Sequence, residues 1–217
     1  MYGQSVARFL MVAALFSSPV WADIIYENGE TLFQGGLLST VDTHFIAADN
    51  FVLDEGADIL NDIHWWGYYA HDEIPALDDF TVYIYSDAGG EPGAVLHTLT
   101  DSVLRTDTGG DAFGEYTEFE YHMDISAIDL DAGTTYWLAI QNDVDCNWFW
   151  SISDFNGGDA HQKLQNWVNY EVEEAFYLTG PGSEIVPEPS SVLLMGAGLV
   201  GLAIHRRRKS FRGSEKH

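Results

Sequence analysis

Asp79-Phe80-Thr81-Val82-Tyr83-Ile84-Tyr85 sets apolar side chains at every second position, and Ser86-Asp87-Ala88-Gly89-Gly90-Glu91-Pro92-Gly93 follows directly. The first run places Phe80, Val82 and Ile84 on one face, the period-two pattern of a half-buried strand. The second is dense in residues that tolerate positive φ or preset a turn. Residues 94–100 begin another strand. Working outward, residues 45–53, 58–70, 116–125, 135–141, 148–153 and 174–179 repeat the signature of β-branched and aromatic side chains bounded by Gly, Pro, Asp and Asn. Residues 160–168, with Lys163, Leu164 and Trp167, fit a helical turn or two. Eight or nine short strands without helical crossovers predict an all-β fold, an antiparallel β-sandwich that is jelly-roll-like.

The two ends of the chain read differently from this body. Arg8, the apolar run from Phe9 to Phe16 and Val20-Trp21-Ala22 have the order of a secretory signal, with cleavage after Ala22. Gly180-Pro181-Gly182-Ser183 marks the end of the fold. Beyond it, Val186-Pro187-Glu188-Pro189 precedes thirteen unbroken apolar or glycine residues from Val192 to Ile204, then Arg206-Arg207-Arg208-Lys209. A helix of that length spans roughly 20 Å against a hydrocarbon core of about 30 Å, so it makes a short, marginal transmembrane helix. The basic cluster fixes its far end on the cytoplasmic side. Gly196-Ala197-Gly198-Leu199-Val200-Gly201 is a literal GxGxxG, but it lacks the strand–turn–helix context that a dinucleotide site requires. The expected organisation is a signal peptide (1–22), a sandwich domain (23–180), a linker with its Pro-Glu-Pro motif (181–189), a hydrophobic helix with its basic cluster (190–209) and a cytoplasmic tail (210–217).

The tail, with its Pro-Glu-Pro motif, short hydrophobic helix and terminal Arg cluster in that order, resembles the PEP-CTERM sorting signal of bacterial envelope proteins. The resemblance implies an exosortase as processing partner, acting at Val186, Pro187, Glu188 and Pro189, in a Gram-negative envelope that makes exopolysaccharide. It also implies a protein exported to the cell envelope, cell surface or extracellular space. In the body, Ala48-Asp49-Asn50-Phe51, Trp65-Trp66-Gly67, Asp79-Phe80-Thr81, the 85–93 turn region and Tyr136-Trp137-Leu138-Ala139-Ile140 are similar to β-sandwich domains common in exported, anchored bacterial proteins. That family mostly has no assigned activity, so the similarity implies fold and location and carries no catalytic residues.

Charge narrows the partners. Of the nine basic residues only Arg105 and Lys163 lie between Asp23 and Pro189, against all but Glu215 of the 34 acidic ones. Such a surface repels nucleic acid and anionic lipid. Cys146 is the single cysteine, so no internal disulfide staples the domain.

The candidate ligand aromatics follow from alternation: Trp65, Gly67 and Tyr69 share one side of a strand, Trp66 and Tyr68 the other, and Trp148 and Trp150 share a face. One set belongs in the core. The other, exposed, would make a stacking platform for polysaccharide rings. Candidate calcium ligands are Asp154, Asn156 and Asp159 in the carboxylate-rich loop Asp154-Phe155-Asn156-Gly157-Gly158-Asp159, with Asp49, Asp54 and Asp58 as a second group that a sandwich could gather. Asp143-Val144-Asp145-Cys146-Asn147 starts like an EF-hand loop, but Trp148 stands where the obligatory glycine belongs. His44, His64, His71, His97, His122 and His161 are scattered without metal-ligand spacing. No hydrolase motif is present and no catalytic residue is named. The expectation is a non-catalytic surface or matrix protein. The alternative is a carbohydrate-binding module assisted by calcium.

Overall fold

The computed structural model describes residues 22–70, 74–155 and 157–181, all within one compact unit. The signal peptide apart from Ala22, His71, Asn156, the Pro-Glu-Pro motif, the hydrophobic helix and the basic cluster lie outside the described residues. Thirteen strands follow in order: β1 (Ala22–Glu27), β2 (Thr31–Leu38), β3 (Ile46–Val52), β4 (Ile59–Tyr69), β5 (Phe80–Asp87), β6 (Pro92–Leu99), β7 (Val103–Ala112), β8 (Tyr116–Asp129), β9 (Thr135–Asn142), β10 (Trp148–Ser153), β11 (His161–Lys163), β12 (Trp167–Asn169) and β13 (Phe176–Pro181). Residues 160–168 therefore form a strand pair and not a helical turn. His161, Gln162 and Lys163 are held against Ala48, Ala47 and Ile46 of β3, and the ladder overrides the local helical spacing.

The strands form two antiparallel sheets. Six run in the order β12-β11-β3-β9-β5-β6. The other seven centre on β4, the longest strand but one. Its first edge pairs with β8, which pairs in turn with β7. Its other edge is shared: Asp62–Trp65 meets β13, with β1 beyond, and Gly67–Tyr69 meets β10, with β2 beyond. The chain stays within one sheet for the β5–β6 and β7–β8 hairpins and changes sheet from β8 to β9 and from β9 to β10. Thirteen strands in these orders stand where a jelly roll would have eight.

Between the sheets lies an aromatic core. Phe80, 1% exposed, makes edge-to-face contacts with Trp65, Tyr121 and Trp148 at centroid distances of 5.4, 5.0 and 4.9 Å. Each such contact adds about 0.5–1.5 kcal/mol beyond burial. Phe80, Val82 and Ile84 all point inward, as alternation required. Cys146 is partly buried against the same core. Gly67 lets Trp148 cross β4, because a Cβ there would fall against the indole.

Candidate functional site

The sandwich sorts the four candidate aromatics to different fates. Trp148 and Trp150 do share a face, but it is the inner one, and both have zero exposure. They are core and cannot stack on a sugar. Trp66 and Tyr68 share the outer face of the seven-stranded sheet, opposite Glu120 and Glu118 of β8. Tyr68 is nonetheless 3% exposed, stacked against Tyr116 and Phe149 with Phe113 edge-on. The turn between β7 and β8 folds over it, with Phe113 N donating to Phe33 O at 2.7 Å. Trp66 alone of the four remains half-exposed, beside Tyr177.

The candidate calcium loop is also rearranged. Asp154 is exposed, and its Oδ1 accepts from Glu30 N at 3.2 Å. Asp159 turns its backbone inward, its N donating to Glu173 Oε1 at 3.3 Å. Asp54 and Asp58 stay exposed on the surface, so Asp49 alone of that second group enters a site.

Beneath the loop lies an acidic nest built from three distant segments. Asn28, just after β1, donates its Nδ2 to Asp49 Oδ2 at 2.9 Å, Glu173 Oε2 at 3.3 Å and Glu174 O at 2.9 Å. Asp49, on the inward face of β3 between Ala47 and Phe51, accepts from Glu174 N at 2.6 Å and from Asn50 N at 2.7 Å. Glu174 continues the inward alternation of Phe176 and Leu178. It has zero exposure, and both Oε1 and Oε2 lack a hydrogen-bond partner. A buried carboxylate left so is costly unless protonated or met by a cation.

Burial pushes both Asp49 and Glu174 well above the usual carboxylate range, and their mutual repulsion together with that of Glu173 adds to the rise. The same field and burial raise the Tyr26 phenol at the rim. The two basic residues of the body are engaged elsewhere: Arg105 pairs with Asp78 at 3.0 Å and Lys163 lies over Trp167. Gly157 closes the loop tightly, because a Cβ there would strike Glu173 Oε1. A groove of about 670 Å³ opens alongside, lined by Leu32, Ile152, Phe155, Gly157, Glu171 and Glu173. The donor set of carboxylates, an amide and backbone carbonyls is the chemistry of a hard divalent cation, but Asp49, Glu173 and Glu174 do not bring one oxygen each within 4.8 Å of the others, so a bound ion would have to draw them together.

Sequence reasoning missed Asn28, Glu173 and Glu174. The inward position of Glu174 was available from alternation with Phe176 and Leu178, an acid in a core register.

Residues 186–209 match the PEP-CTERM protein-sorting motif. No curated protein and no solved structure matches the chain significantly. The class is thus an all-β protein with an exosortase sorting signal. The chain is exported, anchored and then processed at the cell envelope or surface. Among the described residues, no helix is long and apolar enough to cross a membrane.

Proposed function

We propose that this is a non-catalytic protein of the cell surface or extracellular matrix whose sandwich is fastened by a calcium-type cation from the outside medium. The observation that carries the reading is Glu174: zero exposure, two unpartnered oxygens, and Asp49 and Glu173 close enough to repel it. A cation there would tie Asn28, β3 and the start of β13 together across the two sheets. The non-catalytic reading is supported by where the gathered carboxylates lie, because Asp49 and Glu174 are sealed from any substrate.

The groove favours a second reading, polysaccharide binding. Phe155 on its wall is 59% exposed, an apolar ring available for stacking, and Glu173 joins groove to nest.

Thermal unfolding of the full chain in mild detergent, with Ca²⁺, with Mg²⁺ or with EDTA, tests the first reading. Saturating Ca²⁺ at about a hundred times its Kd adds about 2.7 kcal/mol, which raises Tm by roughly 5–10 °C. Glu174→Gln removes that increment. An identical Tm in all three solutions overturns the proposal. Retention on the producer's exopolymer that Phe155→Ala abolishes would establish the second reading.

A further inference from the structure

A separate cluster sits on the outer face of the seven-stranded sheet, away from the acidic nest. Alternation along β4 sends Asp62, His64 and Trp66 to that face, and the β4–β8 register sets His122 opposite His64 and Asp124 opposite Asp62. The two imidazoles stack, centroids 4.6 Å apart and planes within 6°. Both turn their Nε2 atoms on the Asp62 carboxylate: His64 lies 2.9 Å from Oδ2 and His122 lies 3.1 Å from Oδ1. All three ligating atoms fall within 4.8 Å of one another, and among the described residues no other group of three His, Cys, Asp or Glu does so. Two nitrogens and an oxygen on a tetrahedral ion with bonds of about 2.0–2.1 Å would be separated by roughly 3.3 Å, near the 2.9 and 3.1 Å by which each Nε2 stands from an Asp62 oxygen.

Two further observations suit the cluster to an ion. First, the far nitrogen of His64 is oriented. Tyr177 of β13 donates its hydroxyl hydrogen to Glu120 Oε1 at 3.0 Å, so the 2.7 Å contact between Tyr177 Oη and His64 Nδ1 has the imidazole as donor. Nδ1 also lies 3.3 Å from Glu120 Oε1, so the far nitrogen is held by a phenol and a carboxylate together, and Nε2 is left facing Asp62. A metal ion at Nε2, in place of a proton, satisfies both the nitrogen and the Asp62 oxygens. A chain from a carboxylate through a second group to the far nitrogen of a ligating histidine is the support metal sites use to fix tautomer and ring angle. Second, Asp62 Oδ1 is buried with no hydrogen-bond partner, because His122 approaches within 3.1 Å without hydrogen-bond geometry. Thr179 holds the other oxygen, its Oγ1 donating to Oδ2 at 3.3 Å.

We infer that Asp62, His64 and His122 form a binding site for a zinc-class divalent ion, with Tyr177 and Glu120 as positioning residues. Imidazole nitrogen with a single carboxylate suits zinc and its late-transition neighbours rather than calcium or magnesium. Three protein ligands leave a fourth position. It faces solvent on the His122 side, where Asp124 Oδ1 lies 3.3 Å from His122 Nε2 as its hydrogen-bond partner; an ion would take over that nitrogen, and water, an outside ligand or Asp124 itself would complete the shell. The site rests on paired strands and not on loops, so its geometry is set by the sheet.

Calorimetric titration of the full chain with Zn²⁺ tests this, using protein purified in detergent without a histidine tag. Excess Ca²⁺ throughout keeps the acidic nest out of the readout. One Zn²⁺ per chain is expected, and Co²⁺ substitution should give the visible bands of a four-coordinate site. His122→Ala lowers the affinity at least 100-fold. Its side chain is 30% exposed, so the variant keeps its fold, which an unchanged melt verifies. Tyr177→Phe lowers the affinity about 10–100-fold with the stoichiometry unchanged. No binding, or binding that His122→Ala and Asp62→Asn leave intact, overturns the inference.

Discussion

Glu118 shows what a single acid does in this fold. It lies on the outer face of β8 yet has zero exposure, because Thr31 and Ser151 both donate to its Oε1 at 2.6 Å and close over it. Its Oε2 has no partner. Burial raises its pKa above the ordinary glutamate value, and the two hydroxyls offset the rise only in part. The folded state therefore holds the proton more tightly than the unfolded chain. The stability this contributes is complete below the unfolded pKa and is lost as pH rises through the raised folded one. Glu118→Gln keeps an acceptor for both hydroxyls and removes the buried charge. The variant should match the parent near pH 4 and exceed it by about 1–2 kcal/mol at pH 7. Denaturant melts across that range check this, and a constant difference at every pH would refute it.

At the scale of elements, the strands that alternation announced are those with one clean inner face. β5 and β10 appear where the sequence put them, and the inward set Phe80, Val82 and Ile84 was legible residue by residue. β1, β2 and β7 were not. β2 contains Gly35-Gly36 and β7 contains Thr108-Gly109-Gly110-Asp111, which local chemistry reads as turns. Gly36 pairs with Ser151, whereas residues 108–110 are a bulge with Gly109 at φ 77°, and the pairs Asp107–Phe119 and Asp111–Thr117 on either side carry β7 through it. The site was hidden for a related reason. Asn28 and Glu173 lie 145 residues apart, and His64 and His122 come together through the β4–β8 register, which no short pattern reports. Gly67, a residue type that strand interiors disfavour, has a packing reason. The irregularity in β4 falls between Leu60 and Asp62, and Gly67 instead marks where β10 passes closest. A Cβ at Gly67 would lie against the Trp148 indole and 2.6 Å from the Phe149 carbonyl oxygen. Gly67→Ala should therefore cost about 1–3 kcal/mol, toward the upper end because one obstacle is backbone. Thermal melts check this, and an unchanged Tm would show that β10 can shift.

Across the whole molecule, β13 is the closing piece. It pairs with β1 on one edge and β4 on the other and inserts Phe176 and Leu178, both with zero exposure, between the sheets. Losing both side chains costs about 5 kcal/mol or more, comparable to the total stability of many domains. A chain ending at residue 175 should show no cooperative unfolding transition and should bind a hydrophobic dye, whereas one ending at 181 should melt sharply. Cooperative melting of the shorter chain would show that the remaining strands suffice.

That the last strand lies beside the first also sets a schedule. A chain that crosses a membrane N-terminus first delivers β1 early and holds its partner back until nearly everything else has emerged. The pair Asp23 and Gly180 can meet only after that wait, just ahead of the sorting motif that begins at residue 186. Until then the edge of β1 and the Asp62–Trp65 edge of β4 are unmatched templates, the condition under which β-rich chains stick to one another. The moment at which the fold can close and the moment at which the address is read are separated by only a few residues of travel.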